Sequence, residues 1–177
     1  MYRALLAALL PTLALIAVAT PAAADMRFLS YDPADRVTTA LTRGLTLQVE
    51  RGWFGSVTVH RLISTAARGS AAISQGGPNE ALRVLPEGAA QTALYTVGDT
   101  GDARGLARAL CPGAEQTYLV MGQVRAVRPL TVQAVGRWPG GQYRHCVTLN
   151  YEYRGEWAMP PAGAMSIDDD VTPTRPD

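Results

Sequence analysis

The chain of 177 residues is close to charge balance, with 16 basic and 15 acidic side chains, and 47% of it is hydrophobic. Every basic residue is arginine, which excludes a lysine nucleophile or Schiff base. A neutral chain without a basic run is suited neither to nucleic acid, where phosphate neutralisation dominates affinity, nor to a polybasic contact with a membrane surface.

Met1-Tyr2-Arg3 carries one positive charge, Ala4 to Ala19 is almost wholly apolar, and Ala22-Ala23-Ala24 offers small residues at both positions that a signal peptidase reads. This is the pattern of a secretory signal peptide. The apolar run is broken by Pro11 and Thr12 and falls short of the ~20 residues that span a bilayer. We expect residues 1–24 to be removed, leaving 177 − 24 = 153 residues with no membrane span. That length suits one domain, which buries enough surface to fold without a metal. A periplasmic or secreted location follows, and the Lys-free composition points to a bacterial source.

After cleavage, Asp25 to Thr42 is a mixed leading segment. Asp32-Pro33 has the form of a helix start, with Asp32 as cap and Pro33 at the first position. Leu45, Leu47 and Val49 alternate with Thr46, Gln48 and Glu50, the period of a half-buried strand. Arg51 to Ser56 reverses the chain, and Val57 to Thr65 is the second strand of a hairpin. Trp53 and Phe54 lie at the tip of that loop. Packing against the core is the simpler reading of the two rings; a ligand or partner contact is the sharper one.

Ala71 to Ser74 is a weak strand, followed by a Gly-Gly-Pro-Asn turn at 76–79. Glu80 to Leu85 fits a helical turn or a short strand equally well. Thr92 to Val97 is a strand. Asp102 to Leu110 reads as a short helix, with Ala103, Leu106, Ala107 and Leu110 on one face. Asp99 or Thr100 is its expected cap, and Cys111-Pro112-Gly113 ends it. Thr117 to Ala126 and Leu130 to Arg137 are strands. Trp138 to Gln142 turns the chain into a third strand of this group, Tyr143 to Arg154. On it Val147, Leu149, Tyr151 and Tyr153 share one face, while Cys146, Thr148, Asn150, Glu152 and Arg154 share the other. Residues 161–177 hold Pro161, Pro173, Pro176 and three consecutive aspartates. Such a segment cannot bury enough surface to order itself, and we expect a disordered tail.

The expected fold is therefore mainly β: a single antiparallel domain over 25–160, either a sandwich or a partly open barrel, with one short helix at about 102–110. Cys111 and Cys146 are the only cysteines. In an oxidising compartment they are expected to pair, tying the helix end to the last strand.

No catalytic motif emerges. There is no G-x-S-x-G elbow, H-E-x-x-H helix or S-x-x-K sequence. Only His60 and His145 are available for acid–base work near neutrality, and Asp99-Thr100-Gly101-Asp102 lacks the later acids of a calcium loop. No cofactor and no metal site is expected. Tyr143, Tyr151 and Tyr153, with Trp53 and Phe54, are the candidates for a binding surface, with core packing the default for aromatics that continue an apolar face. The function expected is that of a non-catalytic binding or structural protein of the cell envelope, with an envelope protein or a glycan as partner. The alternatives are a small envelope hydrolase with dispersed residues and an inhibitor or chaperone-like partner that uses a strand edge. The intact mass of the exported protein is expected to begin at Asp25; a mature product that retains Leu5 to Ala19 would overturn the signal-peptide reading.

Overall fold

The computed structural model describes residues 25–52, 56–66, 69–89 and 93–158; the expected signal peptide and tail, with Trp53 and Phe54, lie outside them. The described strands are β1 (Asp25–Pro33), β2 (Leu45–Arg51), β3 (Val57–Ser64), β4 (Ser70–Gln75), β5 (Ala93–Val97), β6 (Gln116–Met121), β7 (Leu130–Trp138) and β8 (Gln142–Ala158). The helices are α1 (Arg36–Thr42), α2 (Glu80–Arg83) and α3 (Ala103–Leu110). Each strand pairs antiparallel with its neighbours in sequence, and β8 returns to β1, so the sheet closes into an up-and-down barrel.

Closure depends on the length of β8, which has 17 residues. Its Gln142–Tyr151 half pairs with β7 and its Tyr151–Ala158 half with β1. Three extra residues are accommodated as bulges: His60 on β3, and Cys146 and Arg154 on β8. A bulge bends its strand and sharpens the local twist, which a sheet needs if it is to close on itself.

Every one of the eight strands contributes apolar side chains to the core. Leu29, Leu47, Leu62, Ala71, Val97, Leu119, Val132 and Leu149 are all buried and belong to one cluster. Thr46, Gln48, Thr58, Ser74, Thr131 and Thr148 point outward on the same strands and keep some exposure. This polarity is the reverse of a barrel embedded in lipid, which is apolar outside and polar within. Among the described residues no helix is long and apolar enough to cross a membrane.

Two helices close one end of the barrel. Helix α3 drops Ala103, Leu106 and Leu110 into the core cluster, the face its sequence periodicity predicts. Its cap differs from expectation. Asp102 occupies the cap position without a side-chain hydrogen bond, and backbone bonds from Ala103 and Arg104 to Thr100 and Gly101 complete the first turn instead. Helix α1 starts later than expected. Asp32 and Pro33 remain in β1, and the cap is Asp35, whose Oδ1 accepts the Thr38 N–H at 2.7 Å. That bond holds the Asp35 carboxyl below the usual carboxylate range. Asn150 donates to Asp35 Oδ2 at 3.0 Å, and its backbone N–H donates to Thr38 Oγ1 at 2.9 Å, so the cap is also the weld between α1 and β8. At the other end of α1 the Thr42 hydroxyl donates to the Thr38 carbonyl. It therefore accepts from the Tyr151 hydroxyl at 3.0 Å, and Tyr151 finds the polar partner that a buried phenol requires.

Helix α2, left open between helix and strand by the sequence, is a single turn laid against the outside of the wall. Ala81 packs there with Tyr118 and Val135. Strand β6 is shorter than the expected Thr117–Ala126. The chain leaves the ladder at Gly122, and Val124 turns inward to the core instead. Gly136 is a position where only glycine fits. A Cβ there would stand 2.6 Å from the Trp138 ring and 2.7 Å from the Ala114 methyl.

Cys111, at the end of α3, is joined to Cys146 in the β8 bulge, with Cα atoms 5.4 Å apart. The sequence separation is 35, for which loop-closure entropy gives ~3.8 kcal/mol, reduced by any residual structure in the unfolded chain. Cys111→Ser is expected to lower stability by roughly 3 kcal/mol; urea unfolding of oxidised wild type, reduced wild type and the variant tests this, and coincident curves for all three would refute it.

Candidate functional site

The open end of the barrel, opposite α1 and α3 and covered by no helix among the described residues, is where inward-facing polar groups collect. It is formed by the bases of β1, β2, β3, β5 and β8 and by the loop 122–129. Leu29 faces Glu156 across the β1–β8 ladder. Glu156 thus points to the side of the wall where Leu29 lies buried, as do Arg27 and Arg51 from the alternation of β1 and β2. The Arg51 guanidinium donates to Glu156 Oε2 at 2.6 Å, and Arg27 Nε stands 3.9 Å from Oε1. The Glu156 side chain is only 19% exposed, which limits solvent screening of the pair.

Above this ion cluster lie two tyrosines. The Tyr31 and Tyr153 rings meet edge to face, with centroids 5.8 Å apart. The Tyr31 hydroxyl donates to the Arg125 carbonyl at 3.4 Å. Burial pushes the Tyr31 phenol well up, and the charges of Tyr153 and Glu156 add to the shift. It therefore stays a neutral donor at physiological pH. Beside them is a shallow concavity of about 200 Å³, lined by Val57, Tyr95, Gly122, Gln123, Val124 and Arg125 among others. Val127, at the tip of the adjoining loop, is 78% exposed and has a φ of 62°. A β-branched residue in the left-handed region is a backbone outlier; strain of this kind clusters at binding and switch segments.

The three tyrosines singled out in the sequence do not share one surface. Tyr153 belongs to the open end. Tyr151 is buried in the core and bonded to Thr42. Tyr143 lies outside the wall, its ring 6.0 Å from that of Tyr118, in the cluster under α2. Sequence reasoning missed Glu156, Arg51 and Arg27. Each is a charged residue at an inward register position, and only the bulge at Arg154 sets Glu156 inward.

The two histidines are far apart in the ladder and neither lines the concavity. His60 Nε2 stands 3.0 Å from Glu50 Oε2 in an exposed pair. His145 faces outward from β8. Gln133 Oε1 accepts the Thr148 hydroxyl at 2.6 Å and lies 2.8 Å from His145 Nε2. No serine, cysteine or carboxylate joins the three in the hydrogen bonds of this group. Among the described residues no three potential ligands converge to hold a metal ion. Comparison with protein families, with curated proteins and with solved structures finds no match.

Burial pushes the His145 pKa below its ordinary value. The unfolded chain then binds a proton before the folded one, so this contribution is intact above the ordinary histidine pKa of ~6.5 and is lost as pH falls through the lower folded value. Thermal unfolding between pH 7.5 and pH 5 is expected to show a smaller acid loss in His145→Gln than in wild type; equal losses would contradict the assignment.

Proposed function

We propose that this protein is an exported, non-catalytic binding protein of the cell envelope and that the open barrel end is its recognition surface. The observation that carries this reading is where the polar groups lie. The interior is filled by apolar side chains from every strand, whereas Arg51, Glu156, Tyr31 and Arg125 gather at one end beside a shallow concavity. Of these groups Arg51 and Arg125 are exposed, arginine is enriched in binding hot spots, and the exposed Val127 adds an apolar contact at the rim. An envelope protein or a glycan presenting hydroxyl or amide groups is the partner that such an end suits.

The hydrolase alternative gains no support, because His60 and His145 lie apart, each on the outer wall. The chaperone-like alternative requires a long free strand edge, and closure of the sheet removes the long edges. Copurification from an envelope fraction is the test. The double variant Gln123→Ala/Arg125→Ala alters exposed side chains only and is expected to keep its melting temperature while retention of the partner falls about tenfold, the effect of losing one good interfacial contact. Undiminished retention by the variant, or turnover of an envelope substrate by wild type, would overturn the proposal.

A further inference from the structure

A second concavity, of about 340 Å³, lies at the closed end, on the outer side of α3. It is bounded by Arg104, Ala107 and Arg108 of the helix, by Asp99 on the approach to it, and by Glu115 and Gln116 at the start of β6. Its charges have an uncommon arrangement. Arg104 and Arg108 are four residues apart on one helix, so they are neighbours on its surface and repel each other. Among the described residues neither side chain has a hydrogen bond or an ion pair. Asp99 likewise has no cationic partner, and Glu115 has only a loose one, Arg137 at 3.7 Å.

The floor is held rigidly. The Gln116 side-chain amide donates to the Val97 carbonyl at 2.7 Å and to the Thr117 carbonyl at 3.1 Å. Both donors are thereby used, and Oε1 is left as an acceptor with no partner among the described residues. The cleft therefore offers two kinds of group at once: guanidinium donors from α3, and carboxylate and amide acceptors from Asp99, Glu115 and Gln116. A simple anion satisfies the first set and is repelled by the second. A simple cation meets the opposite problem. A ligand that carries both charges on a short skeleton satisfies both, and the volume falls in the range of small-ligand sites.

We propose that this cleft binds a small zwitterion, an amino acid or a dipeptide, with its carboxylate on Arg104 and Arg108 and its ammonium toward Asp99, Glu115 and Gln116 Oε1. The inference does not rest on the reading of the open end. The mature protein is titrated with the dipeptide Ala-Ala, its C-terminal amide, its N-acetyl derivative and inorganic phosphate, and followed by backbone amide chemical shifts. Ala-Ala is expected to saturate, with shifts concentrated at 97–99, 104–108 and 114–117. Amidation, acetylation and the double variant Arg104→Ala/Arg108→Ala are each expected to weaken binding about tenfold or more, the factor carried by one hydrogen bond to a charged group. Both arginines are exposed, so an unchanged melting temperature verifies that the variant is folded. Absence of saturable Ala-Ala binding at millimolar concentration, phosphate binding as tight as that of the dipeptide, or full binding by the folded double variant would each overturn the proposal.

Discussion

The return of β8 to β1 is the interaction on which the rest of this structure depends. With β8 paired on one side only, the same strands would form an open sheet whose two edges expose unpaired backbone groups. A strand of 17 residues, nearly twice the nine of β1 or β7, allows one half to complete the β7 ladder while the other half completes β1. The apolar inward faces then enclose a single core. The helices follow from this closure. The α1 cap is welded to Asn150 and its last turn to Tyr151, both on β8 near the point where pairing passes from β7 to β1. Helix α3 is bound covalently to the same strand through Cys146.

The bulges explain why a strand of such length remains useful. Because side chains alternate at a period of two, an uninterrupted β8 would keep one parity from end to end. The extra residues at Cys146 and Arg154 reset that parity twice. Between them Val147, Leu149, Tyr151 and Tyr153 face the core. Beyond Cys146, His145 pairs with Val135 on the outer wall; beyond Arg154, Glu156 comes inward opposite Leu29. One strand thus supplies the core, the outer wall under α2 and the polar open end.

This also sets the limit of what the sequence reveals. Alternation located the middle of β2, β7 and β8 and the buried face of α3, because apolar burial imposes its period directly on composition. It did not reveal β1, where Ser30, Asp32 and Pro33 dilute the pattern and the pairing that makes a strand of it comes from β2 and β8, remote in sequence. Helix α1 was equally faint, since Val37, Thr38 and Thr39 are poor helix formers and its stability comes from bonds to Asn150 and Ser64. Closure itself has no local signature, so a sandwich and a barrel were equally legible. The open-end site was the least visible part. Its ion pair joins residues 105 apart in sequence, and each partner alone reads as an ordinary surface charge.

The two ends of the barrel also differ in what they can tolerate. At the closed end the polar groups around α1 have internal partners: Thr42 bonds Tyr151 and Thr38, Ser64 bonds the Thr42 carbonyl, and Thr38 bonds the Asn150 amide. Removing the Thr42 hydroxyl strands the buried Tyr151 hydroxyl, which costs more than the bond itself contributes. The open end is less constrained. Glu156 and Arg51 satisfy each other, but Gln123 and the Arg125 side chain have no bond among the described residues, and Val127 is held in a costly backbone region while exposed. Stability alone gives no reason to keep an apolar, strained residue in water beside free donors. On the proposed reading a partner at that end buries Val127 and engages the free donors, which recovers the apolar area and the hydrogen bonds that the isolated domain forgoes.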